Sequence, residues 1–379
     1  MREIQKRPRR NEMTADLLPD AAWRGRFRRR LRAWYARHRR DLPWRETRDP
    51  YAVWVSEIML QQTQVVTVVG YFERFMAKFP TIAALAAADE QQVLRLWEGL
   101  GYYRRARQLH SAARVLVREN NGRFPSAPQA VRALPGIGRY TAGAILSIAM
   151  DAREPILEAN TIRLYSRLLA YDGEVTSAAG QRMLWSMAEA LLPRSNSGEL
   201  NQALMELGSE ICTPKSPHCD CCPVAMLCPT FAQGLQQSIP RPSRRQAIEA
   251  VREAAVVVFR RGQVLLRRCG SDERWAGLWD FPRFAVKPRG RSQIDEQLTE
   301  GVRDLTGITA QPEGKLTTIK HSVTRYRITL ECHRANYISG RIRSAGGSSM
   351  RWISPRKLDD VPLSTTGRKL GKLISELDM

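Results

Sequence analysis

The sequence predicts an all-α domain followed by an α+β domain. From Ala21 to about Thr230, apolar residues recur at helical spacing in segments such as "WRGRFRRRLRAWYARH" and "EQQVLRLWEGL", separated by proline- or glycine-containing breaks such as "LPW" and "NGRFPSAP". Toward the C-terminus, the spacing of the apolar residues changes from a helical pattern to a strand pattern. "AAVVVFRRGQVLLRR" predicts two strands around a glycine-containing turn, and "KLTTIKHSVTRYRITLECHRA" predicts another pair. A chain of 379 residues is long enough for both domains.

The change of pattern divides the chain into four segments. We expect a basic tail over residues 1–20, the helical domain over 21–230, a linker over 231–250 and the α+β domain over 251–379. The linker is predicted from "FAQGLQQSIPRPSRRQ", which has two prolines and few large apolar side chains.

The composition is ordinary except for its charge. An apolar content of 43% and a charged content of 26% are globular values, and they exclude disorder for most of the chain. However, 60 Lys and Arg against 38 Asp and Glu leave a net charge of +22, which favours a polyanionic partner, most often nucleic acid. The alternative is that arginine-rich helices reflect base composition alone.

No segment predicts a membrane-spanning or exported protein. The longest apolar candidate, "TAGAILSIAM", is shorter than the roughly 18 residues that a membrane-spanning helix needs, and "MREIQKRPRR" lacks the apolar stretch of a signal peptide. Five of the seven cysteines lie between Cys212 and Cys228, which favours a metal site in a reducing compartment over a disulfide framework. We therefore expect a cytoplasmic, nucleoid-associated protein without a membrane partner.

Four of the clustered cysteines, Cys212, Cys219, Cys222 and Cys228, have the spacing C-x6-C-x2-C-x5-C. Four thiolates hold either tetrahedral zinc or an iron-sulfur cluster, and the spacing by itself leans only slightly to iron-sulfur. Cys221 stands beside Cys222, and we interpret it as a bystander thiol.

These motifs together resemble one family. The cysteine spacing after a helical region with "LPGIGRYTAGAI" is similar to helix-hairpin-helix DNA glycosylases with a 4Fe-4S cluster. Within that group, "LPWR", "VSEIMLQQTQV", "GLGYYRRAR" and "NQALMELG" resemble the adenine DNA glycosylase, or MutY, family. The resemblance runs from about Leu42 to Cys228. It implies a 4Fe-4S cluster with a structural and DNA-positioning role, in an enzyme that excises adenine paired with 8-oxoguanine or guanine in duplex DNA. We expect this enzyme to be a monomer.

In "LPGIGRYTAGAI", Gly136 and Gly138 flank Ile137 in a turn that leads into a helix. Glycine permits positive φ, and the exposed N–H groups of such a turn form an anion site with the helix N-terminus. The turn can therefore bind a DNA phosphate without reading sequence. The alternative is a two-glycine corner that only packs two helices together.

Tyr140 distinguishes two chemistries. In similar glycosylases that also cut the DNA strand, the residue at this position resembles a lysine. The lysine amine can form a Schiff base with the sugar. Tyrosine cannot, so we predict a monofunctional glycosylase that leaves the abasic strand intact. The alternative is a surface tyrosine at a helix start.

Cleavage of a glycosidic bond uses one acid to protonate the leaving group and one carboxylate to stabilise the cationic sugar. Glu57 in "YAVWVSEIMLQQ" shares an apolar helix face with Val53, Trp54 and Leu60, so burial should raise its pKa and keep it protonated. A partnered interior glutamate would show the same pattern. The resemblance assigns Glu57 to the catalytic acid that protonates adenine.

Glu158 stands just before the helical segment "TIRLYSRLL", for which Asn160 is the predicted N-cap. A helix N-terminus favours a charged carboxylate, which predicts an ionised Glu158 beside a protonated Glu57. A glutamate that only complements the helix dipole is the alternative. The MutY family has aspartate at the matching position. We expect the backbone to absorb the extra methylene, because Glu57, Tyr140 and Asn160 match the family.

The resemblance also implies residues that contact DNA. Gln62 and Tyr102 match residues that wedge into the duplex when the base is extruded, and Arg45 lies in the segment that matches the adenine pocket. Without the resemblance, these residues carry no assigned function. Phosphate contacts predict binding that weakens steeply with salt.

The α+β domain resembles the Nudix-related module that recognises 8-oxoguanine in the MutY family, through "GLWDFPRF" and "PLSTTGRKL". Its segment "LTEGVRDLTGI" has Asp304 and Leu305 where a pyrophosphohydrolase of this fold needs paired glutamates for magnesium, so we expect binding without hydrolysis. The family's aromatic-serine-histidine loop is matched by Val323, Thr324 and Arg325. Thr324 keeps a hydroxyl for the oxidised base, but the changed flanks put the selectivity in question.

Two other functions stay open on the sequence. A thymine or uracil mismatch glycosylase of the same superfamily can also carry tyrosine at the Tyr140 position, although the long α+β domain argues against it. A catalytically impaired homologue that binds DNA lesions is conceivable because of Glu158.

Overall fold

The computed structural model describes most of the chain. The described residues are 18–241, 247–287, 290–343 and 349–377. Residues 1–17 of the predicted tail and residues 242–246 of the predicted linker lie outside them.

The chain forms two compact units that do not follow a single cut in the sequence. The first comprises Met1–Ala83 and Ser111–Arg244, and the second comprises Ala84–His110 and Arg245–Met379. A helical segment therefore belongs to the same unit as the C-terminal part of the chain. The four predicted segment boundaries stay a prediction.

Regular structure between residues 21 and 232 is helical throughout. The α-helices are α1 (Ala21–His38), α2 (Pro50–Leu60), α3 (Val65–Lys78), α4 (Ile82–Ala87), α5 (Glu90–Trp97), α6 (Arg104–Asn120), α7 (Pro128–Arg132), α8 (Arg139–Met150), α9 (Ala159–Leu168), α10 (Ala178–Leu191), α11 (Ser197–Glu206) and α12 (Pro229–Ala232). A π-helical turn, Leu207–Ile211, continues α11, and short 3-10 helices occur at Pro43–Arg45, Cys219–Cys221 and Ala225–Leu227.

The local sequence accounts for the start and the burial of α2. The carboxylate of Asp49 accepts the backbone N–H of Tyr51 at 3.0 Å, and Pro50 occupies the first helical position, where its missing N–H costs nothing. Every residue from Tyr51 to Met59 is buried, as expected of a helix that is apolar on all sides. Because α2 packs against α8, a polar side chain on α2 faces protein and not solvent.

The second unit contains a seven-stranded sheet. Its strands are β1 (Glu249–Arg260), β2 (Gln263–Arg268), β3 (Trp279–Asp280), β4 (Arg283–Ala285), β5 (Ile308–Val323), β6 (Tyr326–Gly340) and β7 (Met350–Ile353). The main order is β3-β2-β1-β6-β5, with β4 paired to β1 and β7 paired to β2. β1 and β6 are parallel, whereas the other pairs are antiparallel.

Both faces of this sheet are covered. On β1, Val257 packs into a core that includes Leu370 of α14 (Thr365–Leu377), and Val256 packs into a second core that includes Leu298 of α13 (Arg291–Thr306). This explains the uninterrupted apolar run of β1, because a strand buried on both faces has no polar alternation.

The predicted strand pairs are confirmed. Arg261 and Gly262 connect β1 to β2 with φ of 49° and 71°, and Thr324 lies in the turn between β5 and β6 with φ of 52°. β1 begins at Glu249, inside the stretch predicted as linker. The predicted order of an all-α region followed by an α+β region is therefore correct. Across the described part of the chain, the helices are all too short or too polar to cross a membrane.

Candidate active site

Glu57 lies in the interior of the first unit. Only 4% of its surface is exposed, and its neighbours Val53 and Trp54 on α2 are buried as well. Desolvation raises the pKa of Glu57 to about 7, although a hydrogen bond from Tyr140 opposes the shift. The carboxyl group therefore holds its proton near neutral pH, as the sequence predicts.

Tyr140 is the partner of Glu57. It occupies the first turn of α8, and its hydroxyl donates to Oε2 of Glu57 at 2.5 Å and lies 3.5 Å from Sδ of Met205. Burial, and then the charge of Glu57, raise the pKa of Tyr140 well above its usual value. The phenol therefore stays a hydrogen-bond donor, and it orients the carboxyl group of Glu57.

The turn before α8 contains the two predicted glycines, and they differ. Gly136 has φ of 76°, whereas Gly138 is the N-cap of α8 with φ of −86°. Only Gly136 therefore uses the positive φ that glycine permits. Both are exposed, and Ile137 between them is buried and anchors the turn. The N-cap residue Gly138 offers no side-chain cap, so the first N–H groups of α8 can donate hydrogen bonds to an anion.

Glu158 is itself the N-cap of α9, and the prediction that Asn160 caps this helix is wrong. Oε2 of Glu158 accepts the N–H of Asn160, and Oε1 accepts the N–H of Thr161, both at 2.8 Å. The hydroxyl of Thr161 accepts the N–H of Glu158 at 2.8 Å, which completes a capping box. The side chain of Glu158 is long enough to place both oxygens over the helix end.

The pKa of Glu158 shifts in the direction opposite to the one expected. Desolvation raises it, and this outweighs the hydrogen bonds from Asn160 and Thr161 and the nearby charge of Arg163, which lower it. The helix N-terminus favours the charged form, but the cost of burying the carboxylate is larger. Both glutamates thus lie in surroundings that disfavour the charged carboxylate. They differ in the groups that donate hydrogen bonds to them. Glu57 has a phenol, and Glu158 has two backbone N–H groups.

Asn160 is held from one side by Arg163. Its amide oxygen accepts Nη2 of Arg163 at 2.8 Å, and the same arginine donates to the carbonyl oxygens of Gly208 and Cys212, both at 2.6 Å. A side chain at Gly208 would meet Cβ of Asn160 at 2.8 Å, so this glycine permits the close approach. Arg163 is a site residue that sequence reasoning missed, because an arginine in an amphipathic helix has no distinctive pattern.

Arg45 is engaged by a buried acid, Glu206. Nη2 of Arg45 lies 2.8 Å from Oε2 of Glu206, which also binds Arg40 at 2.7 Å and has no exposed side-chain surface. Burial alone would raise the pKa of Glu206, but the hydrogen bonds from Arg40 and Arg45 lower it to about 2. The charge of Arg45 also acts on Glu57, whose pKa it lowers slightly against the effect of burial. Glu206 was missed, and an acid inside the apolar stretch "NQALMELG" is the signal that could have identified it.

Three predicted DNA contacts share one backbone conformation. Gln62, Tyr102 and Thr324 are exposed and have φ of 58°, 47° and 52°. A side chain in the left-handed region is strained, and such strain is frequent at functional sites. Among the described residues this conformation is not confined to the predicted DNA contacts, since it also occurs at Asn121, Asp151, Ala170, Asn196 and Arg261.

Thr324 lies between Val323 and Arg325, the two other residues that match the family's loop. Val323 packs partly against the core of the sheet, and Nη2 of exposed Arg325 donates to the hydroxyl of Tyr326 at 2.9 Å. On α13, Asp304 is exposed, and Leu305 lines a cavity of about 280 Å³. At this position of α13, an apolar side chain thus faces the cavity.

The four predicted ligand cysteines lie in the segment between the end of α11 and the start of α12. None of the four forms a disulfide, and the charge of Cys212 contributes to the pKa of each of the other three, Cys219, Cys222 and Cys228. Burial raises the pKa of Cys222 to about 12. Cys221, in contrast, is exposed, and its thiol lies 3.5 Å from the carbonyl of His218.

The four thiols are the predicted ligands of an iron-sulfur cluster. Within the described ranges, no three His, Cys, Asp or Glu side chains are placed to hold one metal ion. An iron-sulfur cluster distributes its thiolates over separate iron atoms, so its ligands only need to face a common space. Arg167 donates to Sγ of Cys212 at 3.2 Å and to the carbonyl of Thr213 at 2.9 Å, which ties the segment to α9.

Two family models match the chain in the order of its fold. Residues 55–189 match the HhH-GPD superfamily of base excision DNA repair proteins, and residues 254–373 match the NUDIX domain. The first match includes Glu57, Tyr140 and Glu158. The fold is therefore a helix-hairpin-helix glycosylase domain followed by a Nudix-like α+β domain.

Curated relatives cover most of the chain. It is 33% identical to the adenine DNA glycosylase of Rattus norvegicus, over 92% of this chain and 78% of the relative. It is 37% identical to the adenine DNA glycosylase of Buchnera aphidicola subsp. Schizaphis graminum (strain Sg), over 67% and 74%. Among solved structures, a thermostable thymine-DNA glycosylase matches with a TM-score of 0.51 and 28% identity, covering 56% of this chain and 100% of that one.

Proposed function

Because the chain belongs to the adenine DNA glycosylase family, we propose that it releases adenine mispaired with 8-oxoguanine or guanine and leaves the DNA strand intact. Its membership makes it a DNA glycosylase of base excision repair, that is, a hydrolase of N-glycosyl bonds. The observation that carries the proposal is the buried Glu57 carboxyl, with a pKa of about 7 and the hydroxyl of Tyr140 at 2.5 Å.

In this proposal Glu57 is the general acid. The leaving group is a nucleobase, which departs easily only when its ring is protonated, and Glu57 holds a transferable proton near neutral pH. Tyr140 donates to one oxygen of Glu57, so the other oxygen is left to carry the proton toward the base. After transfer, the hydrogen bond from Tyr140 stabilises the carboxylate that remains.

Glu158 stabilises the cationic sugar that forms when the bond breaks. Its two oxygens each accept one backbone N–H, and a carboxylate has further lone pairs to offer to a cation. A positive charge on the sugar would favour the ionised form of Glu158 and offset the desolvation that raises its pKa. Asn160, fixed by Arg163, positions the helix end that carries Glu158.

The monofunctional outcome follows from the group beside Glu57. A Schiff base needs an amine, and the phenol of Tyr140 has none to offer. We therefore expect an abasic strand as the product. Borohydride in the presence of the reacting DNA should trap no covalent protein-DNA adduct, and a trapped adduct would contradict this part of the proposal.

Cys212, Cys219, Cys222 and Cys228 would hold a 4Fe-4S cluster in this proposal. The cluster would give the segment between α11 and α12 a fixed structure close to α9. The expected purified protein is brown and contains four iron atoms per chain, and Cys222→Ser should lose both properties while Cys221→Ser keeps them. Zinc in place of iron in the native protein would contradict the assignment.

The remaining predicted residues would handle the duplex. The turn at Gly136 and Gly138 and the N-terminus of α8 would bind a phosphate, Gln62 and Tyr102 would fill the space that the extruded base leaves, and Arg45 would line the base pocket. Thr324 would contact the base opposite adenine through its hydroxyl. The Nudix-like domain would bind without hydrolysis.

Single-turnover excision tests the proposal against its alternatives. We would measure base release from duplexes with A opposite 8-oxoguanine, A opposite G, T opposite G and U opposite G. Release of adenine from the first two is expected, and Glu57→Gln should reduce it by about 100-fold or more. Release of T or U alone would identify a thymine or uracil mismatch glycosylase. Binding without release from any duplex would indicate a catalytically impaired homologue.

A further inference from the structure

The helical segment of the second unit is attached to the sheet by its polar side chains. On α5, the amide of Gln91 donates to the carbonyl of Gly277 at 3.0 Å and accepts the indole N–H of Trp279 at 2.8 Å. Glu90, at the start of the same helix, lies 2.9 Å from Arg268 of β2. α5 is therefore part of the unit that carries the turn between β5 and β6.

A further attachment is at the C-terminal end of α5. Glu98 is the C-cap of this helix, and its carboxylate binds Arg368 of α14 through both oxygens, at 2.6 Å and 3.0 Å. The side chain of Glu98 is 8% exposed and that of Arg368 is 14% exposed. A bidentate pair with so little solvent is directional and stronger than a surface ion pair.

Arg368 is itself held rigidly. Its guanidinium donates to the carbonyl oxygens of Leu358 at 2.8 Å and Val361 at 2.7 Å, and to the carboxylate of Asp359 at 2.7 Å. A planar five-donor group can serve all these acceptors together, which a lysine cannot do. Glu98 is thus bound to a fixed point on the α+β fold.

From Glu98 a short, tightly constrained loop leads to Tyr102. Gly99 and Gly101 have φ of 100° and 72°, and Tyr102 follows with φ of 47°. The indole N–H of Trp97 donates to the carbonyl of Gly101 at 3.2 Å, and Arg105 donates to the same carbonyl at 3.2 Å. The loop therefore transmits the position of Glu98 to the half-exposed ring of Tyr102.

We infer that Glu98 and Arg368 are a positioning pair that couples Tyr102 to the Nudix-like domain, so that the wedge and the Thr324 turn meet the duplex as one body. The inference rests on the proposed function, because that function assigns Tyr102 and Thr324 to DNA. It adds a specificity role for two residues that touch neither adenine nor the opposite base. Binding of the lesion by the Thr324 turn would then direct where Tyr102 opens the base stack.

The test compares three variants of the full-length protein in single-turnover adenine release. Arg368→Ala and Glu98→Gln should each lower the rate opposite 8-oxoguanine by about tenfold, because misplacement of a positioning element by a fraction of an ångström is costly. The matched control is Arg334→Ala, which breaks an exposed pair with Glu313 in the same unit and should change the rate by less than about twofold. Fluorescence of 2-aminopurine beside the mispair reports base-stack opening directly and should fall in parallel.

A double-mutant cycle separates positioning from a general structural role. In a Tyr102→Ala background, Arg368→Ala and Glu98→Gln should cause no further loss, since they act through Tyr102. Losses that multiply in the double variants would overturn the inference, as would unchanged rates in the single variants. If Arg368→Ala unfolds in urea much earlier than the native chain, isosteric Glu98→Gln carries the test. Failure of the unmodified protein to release adenine would count against the proposed function instead.

Discussion

At the scale of single residues, two buried glutamates face different partners. Glu57 accepts a side-chain hydrogen bond from Tyr140, and Glu158 accepts the N–H groups of Asn160 and Thr161 at the start of α9. A group that must give up a proton needs a neighbour that tolerates both of its states, and a hydroxyl does so. A group that must stay anionic near a cation is best served by donors that cannot move, which backbone N–H groups are.

The first prediction concerns the length of the side chain at position 158. Glu158→Asp should keep adenine release within about tenfold of the native rate, because aspartate is a good N-cap and retains its charge. Glu158→Gln should lose at least about 100-fold, since its amide cannot neutralise the sugar cation. The control is Glu154→Gln, the same type of substitution at a partly exposed glutamate that pairs with Arg132. It should leave the rate of adenine release unchanged. An active Glu158→Gln variant would remove Glu158 from the mechanism.

The sequence predicts a residue's surroundings well where these depend on a single helix. The burial of Glu57 follows from the apolar face that it shares with Val53 and Trp54, and the structure confirms it. The N-cap at Asn160 was wrong because the choice depends on how far a side chain can reach back, and the longer Glu158 satisfies both free N–H groups. The predicted direction of the pKa shift of Glu158 was also wrong. Burial of the carboxylate raises its pKa, and burial depends on packing that the local sequence does not specify.

At the scale of elements, the turn before α8 depends on one glycine more than the other. Gly136 has φ of 76°, where any side chain is strained. Gly138 has φ of −86°, and a Cβ added to it would meet no atom within 4 Å. The conformation of the turn, and with it the direction of its N–H groups, therefore depends on Gly136.

The second prediction uses this difference. Gly136→Ala should lower the free energy of unfolding by about 1–2 kcal/mol and weaken DNA binding equally for all sequences, because a phosphate contact carries no base information. Gly138→Ala should leave the free energy of unfolding nearly unchanged. Urea unfolding and binding to matched and mispaired duplexes would measure both effects. Equal destabilisation by the two substitutions would contradict the account of the turn.

The order of helices and strands was predictable from periodicity, but the grouping of elements was not. Apolar residues recur at different spacings in helices and in strands, and each spacing can be recognised within a short segment of the chain. The attachment of α5 to the α+β fold depends on contacts such as Glu98 with Arg368, which lie 270 residues apart in the sequence. Neither residue has a pattern that would indicate the other, so only the structure assigns Ala84–His110 to the second unit.

At the scale of the whole molecule, the chain combines a glycosylase domain with a Nudix-like domain, and both match known families. A net charge of +22 suits a protein that must hold a polyanionic duplex while one base is extruded. The resemblance identified the family from motifs in the helical part, and the relatives confirm it over most of the chain. We propose that Glu57 and Glu158 carry out base release and that the second unit selects the mispair.

The central claim, that Glu57 supplies the proton that releases adenine, is tested most directly by the pH dependence of single-turnover release from a duplex with adenine opposite 8-oxoguanine. Because the acid must be protonated to act, the rate should be highest below the pKa of about 7 and fall as pH rises through it. Glu57→Gln should lose both the activity and this dependence. A native rate that does not change across this range, or a Glu57→Gln variant with the native profile, would contradict the account.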